Sequence, residues 1–220
     1  MAKILIILLT LLIVLAKIIK NIVVRGSLMK TTKADVIQTA ADIADKNGLS
    51  NVSLKVVAES LNIRTPSLYN HIDSLESLLR EIAHNGMKTM NERMMQAAIG
   101  KIGDDAVKSV GITYLDYMIE HPGIYETIQW ATWHGTEETG KIFDNYLSLL
   151  KTLALSCNFN PTNIDEILNL LTGVLHGYTT LQLRYALSRP DEVRAALSTA
   201  LDTVLTGLHQ KYDQHKKEHL

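Results

Sequence analysis

Cysteine is nearly absent: the single Cys157 permits no internal disulfide and no cysteine metal cluster within one chain. That usage fits a cytosolic compartment. Aromatic residues are scarce at 5%, and four prolines punctuate 220 residues, which favours helices over an aromatic-rich sheet. Neither sign of charge is in excess. A formal net charge of −1 removes the strong positive field on which indiscriminate nucleic-acid binding depends. Catalytic spacings are missing as well. No histidine pair has the HExxH arrangement of a zinc site, and no local signature ties Cys157 to His134 or His176 as a nucleophile and base. No catalysis, metal site or cofactor is expected, and the tail histidines His209, His215 and His219, set among lysines and glutamate, read as a solvated helix end.

What the chain does have is apolar residues, 46% of the total, ample for one large core or two modest ones. One long run, Ile4 to Val24, is nearly all aliphatic and long enough to span a membrane. Lys17 and Lys20 in its second half weaken that reading, and the absence of a small-residue cleavage site argues against a secretory signal. Arg25-Gly26-Ser27, just before Leu28 and Met29, can be encoded by a purine-rich run resembling a bacterial ribosome-binding site. Met29 is therefore expected as the natural start, with residues 1–28 as translated upstream sequence or a cloning remnant; a membrane anchor is the alternative.

The most informative stretch runs from Ser53 to Ile72, SLKVVAESLNIRTPSLYNHI, whose spacing fits two short helices joined by a tight turn. Leu54, Val57, Ala58 and Leu61 share one helical face, and Ile63, Leu68 and Ile72 can close over them. Asn62 occupies the corner, where it tolerates left-handed backbone better than other non-glycine residues. Thr65 with Pro66 marks a fresh helix start, the threonine as cap. Ser67, Tyr69 and Asn70 lie off the packed face, with Arg64, Thr65 and His71 at its ends. These are groups suited to a major groove: Asn70 can pair with adenine and Arg64 with guanine, while hydroxyls hold phosphates or bases less selectively. The plainer alternative is a helical hairpin whose exposed face happens to be polar.

From Thr32 to about Ile82 the chain resembles the DNA-binding domain of TetR-type transcriptional regulators. The resemblance rests on ADVIQTAADIADKNGLSNVSLKVVAESLNIRTPSLYNHIDSLESLLREI, with its first helix, the glycine ending it, the serine opening the second helix and the leucine-tyrosine pair of the third. It implies a homodimeric repressor that binds a palindromic operator in double-stranded DNA. Its larger C-terminal helical domain would bind a small molecule and release the DNA. Trp133-His134-Gly135 and the later Leu175-His176-Gly177 resemble the subgroup named for a tryptophan-histidine-glycine motif. By this likeness Ser53 would cap the second helix and touch phosphate, the Tyr69 hydroxyl would contact phosphate, and Thr65, Ser67, Asn70 and His71 would fall on the recognition helix. One departure is clear: the family often places a lysine near the start of the fourth helix, where this chain has Asp73-Ser74-Leu75-Glu76, which reads as a capping box.

The expected fold is all-α: a three-helix helix-turn-helix domain over 29–75, then a helical effector-binding and dimerisation domain over 76–220. The region from Met29 to His84 is not basic, since Lys30, Lys33, Lys46, Lys55, Arg64 and Arg80 face seven acidic residues. Thr32 to Lys46 is expected as the first helix, ended by Asn47-Gly48 as a left-handed cap. A fourth helix, capped by Asp73 or Ser74, reaches toward Met95; its Met87, Met90, Met94 and Met95 suit either a core or an adaptable pocket. Further helices are expected over Asp104 to Glu120, Ile124 to Ala131, Thr136 to Leu155, Ile164 to Leu187 and Asp191 to Tyr212, the last two the longest. Gly173, Gly177, Leu170, Val174 and Leu181 make a flat face on one of that pair; Val193, Leu197, Leu201, Val204 and Leu208 stripe the other. The resemblance implies that both meet a two-fold mate, although burial within the chain would also satisfy either stripe.

For the effector, Trp130, Trp133 and His134 lie beside a helix boundary, and His176 with Tyr178 lies on a helix expected to pack nearby. Aromatic walls with a few polar groups suit a small-ligand pocket, while ordinary core packing with satisfied hydrogen bonds is the competing reading. Two other classes remain open: a membrane-tethered helical regulator anchored by residues 1–28, and a small-molecule-binding helical protein without operator recognition.

Overall fold

The computed structural model describes residues 31–212; the apolar run and proposed start at Met29, and the histidines His215 and His219, lie outside the described residues. Nine α-helices follow one another among those residues: α1 Lys33–Asn47, α2 Leu54–Ser60, α3 Thr65–Leu68, α4 Leu75–Ala98, α5 Gly103–Glu120, α6 Pro122–His134, α7 Glu137–Ser156, α8 Ile164–Leu183 and α9 Val193–Tyr212. Short 3-10 turns cover Leu49–Asn51, Pro161–Asn163 and Pro190–Glu192. The fold is all-α. Among the described residues no helix is long and apolar enough to cross a membrane.

Local chemistry sets the helix ends. A capping box opens α1, with the Asp35 N–H donating to Thr32 Oγ1 at 3.2 Å and the Thr32 N–H to the Asp35 carboxylate at 2.8 Å. Gly48 closes it at φ +85° but ψ 154°, so the backbone leaves in an extended rather than a left-handed direction. The box at the start of α4 is built by Ser74 and Ser77, not by Asp73 and Glu76: the Ser77 N–H donates to Ser74 Oγ at 3.1 Å and the Ser74 N–H to Ser77 Oγ at 3.0 Å. Pro122, missing the N–H that a first turn cannot use, starts α6 directly after α5. This helix reaches His134, beyond the expected Ala131.

Helix α8 stops at Leu183, one turn before the expected Leu187, and α9 starts at Val193. The Ala186 N–H donates to the Leu181 carbonyl at 2.8 Å and the Tyr185 N–H to that of Gln182 at 3.1 Å, with Tyr185 at φ +53°. This pair of reversed bonds closes a helix by turning one residue left-handed. Because the residue is tyrosine rather than glycine or asparagine, the stop carries no sequence signal. Among the described residues the longest helix is α4, with 24 residues, not α8 or α9, which have 20 each.

Two buried clusters form. Val36, Ile37, Ala40, Ala44, Val57, Ala58, Leu68, Ile72, Leu78 and Ile82 make the first; Met87, Met90, Met94 and residues from α5 to α9 make the second. Helix α4 belongs to both, passing from one core to the other between Ile82 and Ala83 over a length of about 36 Å. Its methionines sit in the packed core except Met95, which is exposed. The apolar stripe of α9 is consumed within the chain: Val193, Leu197, Leu201 and Leu208 are buried and Val204 half-buried. The α8 face is not consumed, since Leu170 and Leu181 are exposed and nothing lies near Gly173 or Gly177.

Candidate functional site

The turn between α2 and α3 is built by backbone bonds. The Ile63 N–H donates to the Ala58 carbonyl and the Asn62 N–H to that of Glu59, both at 3.0 Å, with Asn62 at φ +53°. This is a complete Schellman closure with asparagine at its left-handed position. Val57, Ala58, Leu68 and Ile72 are buried at the contact, while Leu54, Leu61 and Ile63 are half-buried around it. Ser53 caps α2, its Oγ accepting from the Val56 N–H at 3.3 Å. Thr65 does not cap α3. Arg64 stands at that position in extended backbone and makes no side-chain cap, because the register fixed by the closure makes Thr65 the first helical residue.

Helix α3 is one turn long and tightens after Leu68, where the His71 N–H donates to the Leu68 carbonyl at 2.8 Å. Tyr69 is 57% exposed, Asn70 and Arg64 are exposed, and Thr65, Ser67 and His71 are half-buried. Among the described residues, the side chains of Arg64, Tyr69 and Asn70 make no hydrogen bond to the protein. A row of exposed polar groups, without protein partners there, projects from a packed three-helix support.

The support is fastened to the second core at one joint. Asp45, near the end of α1, covers the N-terminus of α6: its Oδ1 accepts from the backbone N–H groups of Gly123 at 2.8 Å and Ile124 at 3.0 Å, and its Oδ2 lies 2.8 Å from His121 Nδ1. A carboxylate there satisfies free donors and meets the positive end of the helix dipole. A Cβ at Gly123 would overlap the Ala44 carbonyl, so only glycine lets α1 approach this closely. Glu126 adds a second tie, accepting from the Leu49 N–H at 3.2 Å.

The expected effector residues fall into separate places. Trp130 is half-buried and stacks on His134 with ring centroids 4.5 Å apart, and His134 Nδ1 donates to the Trp130 carbonyl at 2.9 Å. Trp133 is corrected from pocket wall to surface, at 86% exposure. Helix phase explains it: the buried positions of α6 include Ile128 and Ala131, and two residues past Ala131 is about 200° round the helix. Gly135 is structural, since a Cβ there would press within 2.9 Å of Thr139. No hydrogen bond or ring contact joins Trp130, Trp133 or His134 to His176 or Tyr178.

His176 instead gathers residues that the sequence did not single out as site residues. The Tyr114 and Tyr125 hydroxyls each lie 3.3 Å from its Nδ1, and Tyr125 also bonds the Thr180 hydroxyl at 2.8 Å. These come from α5, α6 and α8, so no sequence spacing could have announced them. Burial lowers the His176 pKa below its ordinary value and raises that of Tyr114 well above its own. Tyr178, two residues on, is half-buried on another side of α8. Next to this group, a cleft of about 450 Å³ opens between Leu49, α6 and the end of α8.

Residues 107–204 match a family described as tetracyclin repressor-like, C-terminal domain. An HTH-type transcriptional regulator of Bacillus subtilis (strain 168), YobS, itself uncharacterized, is 31% identical over 179 residues, which cover 80% of this chain and 92% of that one. Among solved structures, a protein of unknown function from Rhodococcus sp. RHA1 superposes with a TM-score of 0.72 at 16% identity, covering 82% of this chain and 97% of that one. A TetR variant from Acinetobacter baumannii AYE in complex with minocycline superposes with a TM-score of 0.61 at 18% identity, covering 84% and 100%. With the polar helix-turn-helix face and the second helical core already in place, these likenesses establish that the chain belongs to the TetR-type transcriptional regulators, DNA-binding proteins with a C-terminal effector-binding domain.

Proposed function

We propose that the protein is a cytoplasmic, dimeric repressor that holds a palindromic operator through α3 and releases it when a small molecule binds the C-terminal helices. The observation that carries this reading is the exposed polar face of Arg64, Tyr69 and Asn70 on a packed three-helix support. Tyr69 and Ser53 serve the phosphate backbone; Arg64, Thr65, Ser67, Asn70 and His71 face base edges and their flanks. The support is not basic, so the neutral donors and the paired half-sites supply most of the affinity. The domains divide near residue 75, with 29–75 reading DNA and 76–220 sensing and dimerising. Dimerisation is assigned to the α8–α9 pair; the uncovered α8 face supports its α8 half. The sequence Trp133-His134-Gly135 supports the tryptophan-histidine-glycine subgroup, with Gly135 held where a Cβ would press on Thr139. The Acinetobacter protein was solved in complex with minocycline; a small-molecule effector is proposed here for this chain as well.

Selection of genomic fragments by the purified protein is expected to enrich one palindromic sequence. Tyr69→Phe should weaken binding across all sequences, and Asn70→Ala should relax the preference at particular base pairs, at about 1–3 kcal/mol for a lost bidentate contact. Unchanged affinity and preference in both variants would remove α3 from the groove.

A further inference from the structure

We infer that the cleft between the Leu49 turn, α6 and the end of α8 binds a small zwitterion, a compact apolar body carrying one carboxylate and one ammonium group. The cleft's volume of about 450 Å³ falls in the usual range for small-ligand sites. Its apolar lining includes Leu49 and Leu183, and its charged lining is confined to Glu126 on α6 and Arg184 just past α8. These two charges pair neither with each other nor with any other ion among the described residues. Glu126 spends one carboxylate oxygen on the Leu49 N–H and keeps the other free; the Arg184 guanidinium is exposed with its donors unused.

Opposite charges that pair with no other ion, one on α6 and one just past α8, are complementary to a ligand bearing both. A carboxylate fits the forked donors of Arg184, and an ammonium fits the free oxygen of Glu126. The Tyr125 and Thr180 hydroxyls, bonded to each other and onward to His176, supply uncharged polar lining. Leu49 belongs to the DNA-reading side and the other walls to the effector side. A bound molecule therefore spans the joint and favours one spacing of the two over another. That consequence rests on the regulator reading above; the binding itself does not.

Calorimetric titration of the full chain without DNA tests it, using L-phenylalanine, hydrocinnamate and phenethylamine, then L-leucine, isocaproate and isoamylamine. Each set shares one apolar body and differs only in its charged ends. At least one amino acid is expected to bind about tenfold more tightly than both of its singly charged analogues. Arg184→Gln should erase the advantage over the amine, and Glu126→Gln, which keeps an acceptor for Leu49, the advantage over the acid, with helicity unchanged by circular dichroism. Absence of amino-acid binding in both sets, equal affinities within each set, or a preference that survives both substitutions would overturn the proposal. Failure to shift operator DNA, measured separately, would count against the regulator reading alone.

Discussion

His84 is a buried imidazole on the helix shared by both cores, with Nε2 2.8 Å from Thr139 Oγ1. That hydroxyl also accepts from the Thr136 N–H at 3.0 Å, and its own proton is available to a neutral ring. Burial lowers the His84 pKa from its ordinary 6.5, against the opposing pull of Glu138 and Glu81. Protonating the folded state is therefore harder than protonating the unfolded chain. The stabilisation is fully present above pH 6.5 and is lost as the pH falls toward the lowered folded value. His176, lowered by burial, acts in the same sense. The thermal midpoint should fall between pH 7 and pH 5, and His84→Gln, able to bond Thr139 without titrating, should flatten that fall. An unchanged pH slope in the variant would relieve His84 of this role. None of this was legible in sequence, because burial is contributed by α7 rather than by the neighbours of His84 in the chain.

At the scale of elements, two junctions carry the design. The α2 closure puts Asn62 in left-handed backbone, so Asn62→Gly should be nearly neutral and Asn62→Val should cost about 1–2 kcal/mol, read from denaturant midpoints. At the joint between α1 and α6, Gly123→Ala would force backbone apart and should destabilise by about 1–3 kcal/mol, or loosen the reader domain, read by hydrogen exchange of α1 amides. Asn62 was legible because its corner conformation is chosen by local sterics. At Gly123 the sequence shows only a gap between two expected helices, since what demands glycine there is Ala44, far away in sequence. Caps were legible as regions but not as residues: Ser74 rather than Asp73 opens α4, and Arg64 rather than Thr65 precedes α3. Adjacent polar residues compete on equal chemical terms until packing fixes the register.

At the scale of the molecule, α4 spans the two cores while the α8 face lies uncovered. Gly173 and Gly177 have open space over them, so a side chain added there meets nothing in the same subunit. Gly177→Arg should leave helicity and thermal midpoint nearly unchanged by circular dichroism, apart from up to about 1 kcal/mol gained by replacing glycine in a helix. Sedimentation should convert it from dimer to monomer if this face is the interface, and operator affinity should fall with it because two half-sites bind as a pair. A variant that stays dimeric would move the interface elsewhere.

By itself the sequence determined the helical fold, the order of the helices and the polar face of α3, because periodicity, caps and turn residues act over a few neighbours. Only the tertiary structure decided that the α9 stripe is consumed within the chain, that Trp133 faces solvent, and that His176 meets Tyr114 and Tyr125. It also set the unpaired Glu126 and Arg184 round one cleft. The reason is geometric: which side of a helix is buried depends on the phase at which distant helices pack against it, and no local pattern records that phase.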